Sequence, residues 1–331
     1  MKPSKNMSLT FIIGIMLLII MFCIAMAFGA AETSIRDVWQ ALFTNKSSDQ
    51  INILQEIRFP REVAAMVVGA ALAVSGAIMQ GITRNPLADP GLLGLTSGAN
   101  AALAITIALL PGVGYLGITI ACFIGAAVGA IMVFGIGAMK KGGFSPLRIV
   151  LAGAAVSAFL YAIADGVGIY FKISKNVSMW TAGGIIGTTW NQLAIIIPFI
   201  AIGSVVALLF SRQLTILSLN EEVAVGLGQK TIQVKTILFI VVILLAGAAV
   251  ALVGNMAFVG LMVPHMVRAI VGTDYRFIIP MSMIVGAILM LFADTVGRTI
   301  NIPWETPVAA IIAVMGLPFF LIIVRKGGTF R

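Results

Sequence analysis

Between Lys235 and Gly254 the chain runs TILFIVVILLAGAAVALV, eighteen residues without a charged or amide side chain. At 1.5 Å per helical residue such a run can cross most of the ~30 Å hydrocarbon layer of a bilayer. Lipid offers the backbone no hydrogen-bond partner, so an isolated run of this kind must satisfy its own N–H and C=O groups as an α-helix. The pattern recurs. Ten windows of this character fall near 7–30, 62–81, 93–110, 114–138, 146–171, 192–210, 236–253, 256–272, 277–297 and 307–324. Of these, 256–272 and 307–324 are the shortest and are expected to be tilted or broken. With 60% hydrophobic and 10% charged residues, nothing in the composition argues for a soluble domain. The expectation is an all-α polytopic membrane protein of about ten transmembrane helices, forming a single transmembrane domain over residues 1–331. Small residues, as in Gly69-Ala70-Ala71 and Gly125-Ala126-Ala127, suit close helix packing in lipid.

A net charge of +9 would suggest nucleic acid in a soluble protein. Here it reads as topology. With the N-terminus inside and ten spans, seven of the 21 Lys and Arg residues fall outside (Arg36, Lys46, Arg58, Arg61, Lys172, Lys175 and Arg298) and the other fourteen inside. That bias obeys the positive-inside rule and puts both termini in the cytoplasm. No basic patch with interleaved aromatics appears, so nucleic-acid binding is not expected. Cys23 and Cys122 lie within apolar windows and read as small core residues, without a disulfide framework or a metal site. Residues 1–30 imitate a signal peptide, but the apolar run is long and the rest of the chain is as hydrophobic, so it reads as a first span.

Several polar strings interrupt the windows. The segment 31–61 reads as external, with a short amphipathic helix through Ile35, Val38, Trp39 and Leu42, and it ends in Arg58-Phe59-Pro60-Arg61. Two arginines around a proline place positive charge on stiff backbone, as arginines that anchor a span end on lipid headgroups do. Trp180 and Trp190 read as interfacial anchors. A third arginine, Arg298, closes Ala293-Asp294-Thr295-Val296-Gly297-Arg298, where Asp294 stands one turn before it and suits an i,i+4 pair. Asp165 lies deep within the fifth window. A carboxylate there must face protein, water or a transport pathway, whether as a satisfied structural group or a working one. His265 is the single histidine, with no Cys, Glu or second His beside it, and reads as a packing residue.

Ser211–Lys235, SRQLTILSLNEEVAVGLGQKTIQVK, is the longest interior interruption that still reads as ordered. Glu221 and Glu222 suit the first turn of a short helix, Gly226 and Gly228 its end, and Val223, Val225 and Leu227 offer apolar contacts. A helix–turn–helix between two spans cannot lie in lipid, so it sits at one face, as a plain connector or as a surface for a partner.

Five strings in order, Arg58–Arg61, Asn85–Gly94 (NPLADPGLLG), Asn220–Gly228, Gly254–Arg268 and Ala293–Arg298, resemble the FecCD family, the permease subunits of ATP-driven importers for iron–siderophores, haem and cobalamin. The resemblance runs from Arg58 to Phe320. Two departures are visible: Asn220 stands where many members have glycine, and Ala309 follows Pro307-Val308 where glycine is frequent. Asparagine tolerates the left-handed region, so the turn at Asn220 is expected to survive. The resemblance implies a type II ABC importer permease fold in a bacterial plasma membrane. It implies coupling to separate ABC ATPase subunits through Glu221, Glu222, Val225, Gly226, Leu227 and Gly228. It also implies docking of an extracytoplasmic substrate-binding protein at Arg58, Arg61 and Arg298, and a dimer with a like or related permease. The implied cargo is a metal chelate, most often a ferric siderophore. The chain carries no Walker A sequence, so ATP is expected to be used by the partner, with no cofactor bound directly and no catalytic residue of its own.

Two other classes are weighed. An ion-coupled secondary transporter would use Asp165 as its proton carrier. A membrane enzyme is poorly served by one histidine and no clustered acids.

Overall fold

The computed structural model describes residues 7–28, 39–40, 49–138, 146–175, 184–302 and 304–325. The expected amphipathic helix near 35–42 and Trp180 lie largely or wholly outside these residues. The elements follow the apolar windows: α1 (Met7–Ala27), α2 (Asp49–Ile53), α3 (Phe59–Thr83), α4 (Leu95–Leu109), α5 (Tyr115–Ala138), α6 (Pro146–Tyr170), α7 (Trp190–Leu209), α8 (Ser211–Leu219), α9 (Glu221–Gly226), α10 (Thr231–Val253), α11 (Val259–Val271), α12 (Tyr275–Thr299) and α13 (Val308–Arg325). Among the described residues, seven helices are long and apolar enough to cross a membrane. Three more, Leu95–Leu109, Val259–Val271 and Val308–Ile323, are apolar but shorter.

All ten windows therefore hold helix, and the two expected to be shortest, 256–272 and 307–324, are joined by a third short one. The third window loses its first residues to a 3-10 turn, Gly91–Leu93, and to Gly94 at φ +77°, so α4 starts late. This turn is the NPLADPGLLG string. Asn85 Oδ1 accepts from Leu87 N (3.0 Å) and Asp89 Oδ1 from Gly91 N (2.7 Å), two side-chain-built turns that reverse the chain. The eighth window breaks at its start: residues 254–258 leave the helix, and Phe258 takes a left-handed φ of +67° before α11 begins. That conformation is costly for a bulky residue. The ring is pinned where it is, because a Cβ on Gly316 of α13 would stand 2.5 Å from Phe258 Cγ.

The centre of the bundle is α3. It is buried along nearly its whole length and packs against α10, α11 and, most extensively, α12. Contact with α12 is backbone to backbone: a Cβ built on Gly69 would lie 2.2 Å from the carbonyl oxygen of Gly286. A second close pair, α4 against α5, crosses at Gly98 and Gly125 in the same manner. Without a hydrophobic driving force between helices in lipid, such approach is what lets dispersion contacts hold them. The first helix belongs to the same body, since α1 runs along α12 and presses Gly14 against Ile284.

Before α3 the helix does not simply begin at Pro60. It arrives from Asp49 through a π-helical turn, Leu54–Arg58, in which Phe59 N donates to Leu54 O. Pro60 has no N–H to give to the preceding turn, and the ladder widens there.

Candidate functional site

The three arginines picked out along the chain meet at one end of the α3–α12 pair. They are not free surface charges. Arg58, Arg61 and Arg298 are 5%, 9% and 3% exposed, each held by a defined partner. Arg61 grips two carboxylates: its Nη2 lies 2.8 Å from Asp294 Oδ1, and its Nη1 donates to both oxygens of Glu305 at 3.0 and 2.9 Å. Arg298 pairs with Glu62 at 2.5 Å and with Asp294 at 3.0 Å, the latter being the i,i+4 pair its spacing suggests. Arg58 donates to the carbonyl of Met26 (2.7 Å) and Arg298 to that of Ala25 (3.2 Å), so both close the C-terminal end of α1. Lone helix-end carbonyls of this kind carry partial negative charge. Three cations and three anions (Glu62, Asp294 and Glu305) balance within one network.

Local pattern alone did not expose the burial. Arg61 and Asp294 are 233 residues apart in sequence, Arg298 and Glu62 236. Reading the sequence did not single out Glu62 or Glu305. Trp190 has a protein partner as well as a place near the surface: its Nε1 donates to Gln55 O (3.0 Å), and its ring packs on Phe59 at 5.2 Å.

At the opposite end of α12 stands the helical knuckle. Helix α8 is joined to α9 by Asn220, whose backbone is extended (φ −162°) rather than left-handed, and whose Oδ1 caps the helix by accepting from Glu222 N (3.1 Å). Asparagine thus replaces glycine here by capping and not by conformational tolerance. The helix ends at Gly226, and Gly228 turns the chain at φ +77°. Ala224 is buried beneath it, while Val223, Val225 and Leu227 stand 47%, 58% and 67% exposed. Glu222, Gly226 and Gly228 are exposed too, and Glu221 opens the helix. Three neighbouring apolar side chains bared on a rigid turn form a surface suited to a partner.

The knuckle is tied to the long helix. Thr215 of α8 donates its hydroxyl to Asp274 Oδ1 (3.1 Å) and accepts from Tyr275 N (3.0 Å). Arg276 pairs with the same carboxylate at 2.6 Å and, with the Thr215 hydroxyl, holds Asp274 below its ordinary value of 3.8. On the other side a Cβ on Gly81 of α3 would meet Leu214 at 2.6 Å and Tyr275 at 2.9 Å. Helices α3 and α12 therefore connect the ion network to the knuckle over about 35 Å of continuous helix.

Asp165 joins neither end. It lies exposed on α6, on a face shared with Ala158, Ala162, Gly166 and Ile169. His265 is buried with its ring edge-on to Phe319 at 5.7 Å. Among the described residues no group of three or more His, Cys, Asp or Glu could hold a metal ion.

Comparison with known proteins covers nearly the whole chain. The FecCD transport family model matches residues 17–326. The iron(3+)-hydroxamate import system permease protein FhuB of Bacillus subtilis is 43% identical over 318 residues, covering 95% of this chain and 82% of that protein. The Fe(3+)-citrate import system permease protein YfmD of the same organism is 37% identical over 98% of this chain and 97% of its own length. Among solved structures, an inward-facing conformation of a metal-chelate type ABC transporter superposes with a TM-score of 0.81 at 28% identity, covering 95% of this chain and 97% of that one.

Proposed function

Since the chain belongs to the FecCD transport family, we propose that it works as the membrane-spanning permease subunit of an ATP-driven importer for a metal chelate. The cargo we favour is a ferric siderophore, supported by the hydroxamate permease being 43% identical over 95% of the chain. ATP is bound and hydrolysed by separate ATPase subunits. The observation that carries this reading is the knuckle: Val223, Val225 and Leu227 are bared on a short capped helix at the end of an otherwise apolar bundle.

In this reading Glu221, Glu222 and Val225–Gly228 seat against the ATPase at the cytoplasmic face. The ion network around Arg58, Arg61 and Arg298 faces outward and receives the substrate-binding protein. Asp165 faces the translocation space or a second permease copy, because a carboxylate exposed on a membrane helix cannot face acyl chains at acceptable cost. Closure of the ATPase pair moves the knuckle, and α3 and α12 carry the displacement through the membrane.

The test is direct. Leu227→Asp places a charge on the exposed apex without disturbing the bundle core. ATP-dependent uptake is expected to fall by roughly a hundredfold, as for truncation of an apolar interface anchor, while the permease still folds and inserts. Uptake at the normal rate would remove the knuckle from the coupling path.

A further inference from the structure

The ion network has one loose member. Asp294 and Glu62 have fully buried side chains, and each is held by arginine. Removing either from its partner would strand a charge away from water. Glu305 differs: its side chain is 28% exposed, and it sits on the linker between α12 and α13, bonded to Arg61 alone among the arginines. Its partner Arg61 keeps Asp294, so parting Glu305 from it leaves neither charge stranded. If Glu305 turns to water, Asp294 still holds Arg61 through Nε and Nη2, while Nη1 loses its carboxylate. The same linker bares Ile300, Ile302 and Trp304, at 66%, 58% and 74% exposure. Exposed apolar and aromatic side chains on the segment that carries Glu305 have the make-up of a protein-binding surface.

We propose that Glu305 is an internal stand-in for a carboxylate of the docking protein. It keeps Arg61 ordered and charge-balanced in the resting permease, and docking exchanges it for an aspartate or glutamate of the partner. The α12–α13 linker is thereby released as the partner arrives. This deepens the docking reading given above and rests on it. It also explains how a network with no net charge can recruit an acidic surface: one of its own acids is exchangeable and the others are not.

The assembled transporter in nanodiscs, titrated with its own binding protein at low ionic strength, tests this. Glu305→Gln removes the competing charge at constant volume, and the binding protein is expected to bind about tenfold tighter, the scale of one close charge competition. Glu305→Asp keeps the charge, and its affinity is expected to stay within about threefold of wild type, as for an exposed pair. A fluorophore on Trp304→Cys reports separately whether docking covers this face. If the fluorophore responds but Glu305→Gln binds no tighter, the exchange is wrong and docking here stands. An equal gain for Glu305→Asp would mean that a loosened linker, not removed charge, is responsible, and would also overturn the exchange. No fluorophore response, or a signal of acyl-chain contact unchanged by the binding protein, overturns docking at this face and the exchange with it.

Discussion

Asp294 bears more of the arginine network than any other residue. It is fully buried, accepts from Arg61 and pairs with Arg298, so both cations depend on it for their desolvated charge. Asp294→Asn keeps the shape and removes the charge, and is expected to destabilise the folded permease by about 3–5 kcal/mol, the usual cost of breaking a buried pair. A thermal-stability assay in detergent or nanodiscs checks it, and an unchanged midpoint would mean the pairs are incidental. What the sequence made legible here was position: Arg58, Arg61, Arg298 and the Asp294–Arg298 spacing all came from local strings. Burial did not, because the acids that neutralise Arg61 and Arg298 lie mostly more than 230 residues away in the chain. Asn220 gives the reverse lesson. Its survival in place of glycine was legible, but the mechanism is a side-chain cap, which needs the φ of the folded turn to see.

Helices α3 and α12 run between the ion network and the knuckle, and Gly69 and Gly286 are where they touch. Gly69→Ala puts a methyl within 2.2 Å of a backbone oxygen, which no rotamer can relieve. The helices must part, and the expected result is loss of folded protein at the membrane, measured as monodisperse yield. Small residues in these runs pointed to close packing in advance; the pairing of these two helices out of ten did not follow, since every apolar face in lipid looks alike. The Thr215–Asp274 clip joins the same rod to the knuckle. Asp274→Asn is expected to lower uptake per ATP hydrolysed by roughly three- to tenfold, the equivalent of about one hydrogen bond, with stability of the spans retained. Because Arg276 and Thr215 depress the Asp274 carboxyl, its contribution is present above the ordinary carboxylate value and is lost only as pH falls through the lower folded value. Coupling through this clip should therefore be flat between pH 8 and 5, as initial uptake rates at fixed ATP would reveal. A drop in that window, absent in Asp274→Asn, would contradict the assignment.

At the scale of the whole molecule, no group of three or more His, Cys, Asp or Glu among the described residues could hold a metal ion, and the ion network and the knuckle lie at opposite ends of one helix pair. Fold class followed from the apolar runs, because lipid leaves the backbone so few solutions. Short helices were expected in windows 256–272 and 307–324 and are found there; the shortness of α4 did not follow, since turn residues such as Leu92 and Leu93 are as apolar as the span beside them. Between the two transport classes, the dividing quantity is the energy source. The most direct measurement is uptake of a ferric hydroxamate into proteoliposomes holding the permease with its ATPase, with binding protein supplied on the opposite face, run with and without a protonophore. An ATP-driven permease accumulates the chelate whenever ATP reaches the ATPase and stops when the ATPase is omitted. Accumulation that persists without ATP and collapses only when the protonophore is added would contradict it, and would return the chain to ion-coupled transport through Asp165.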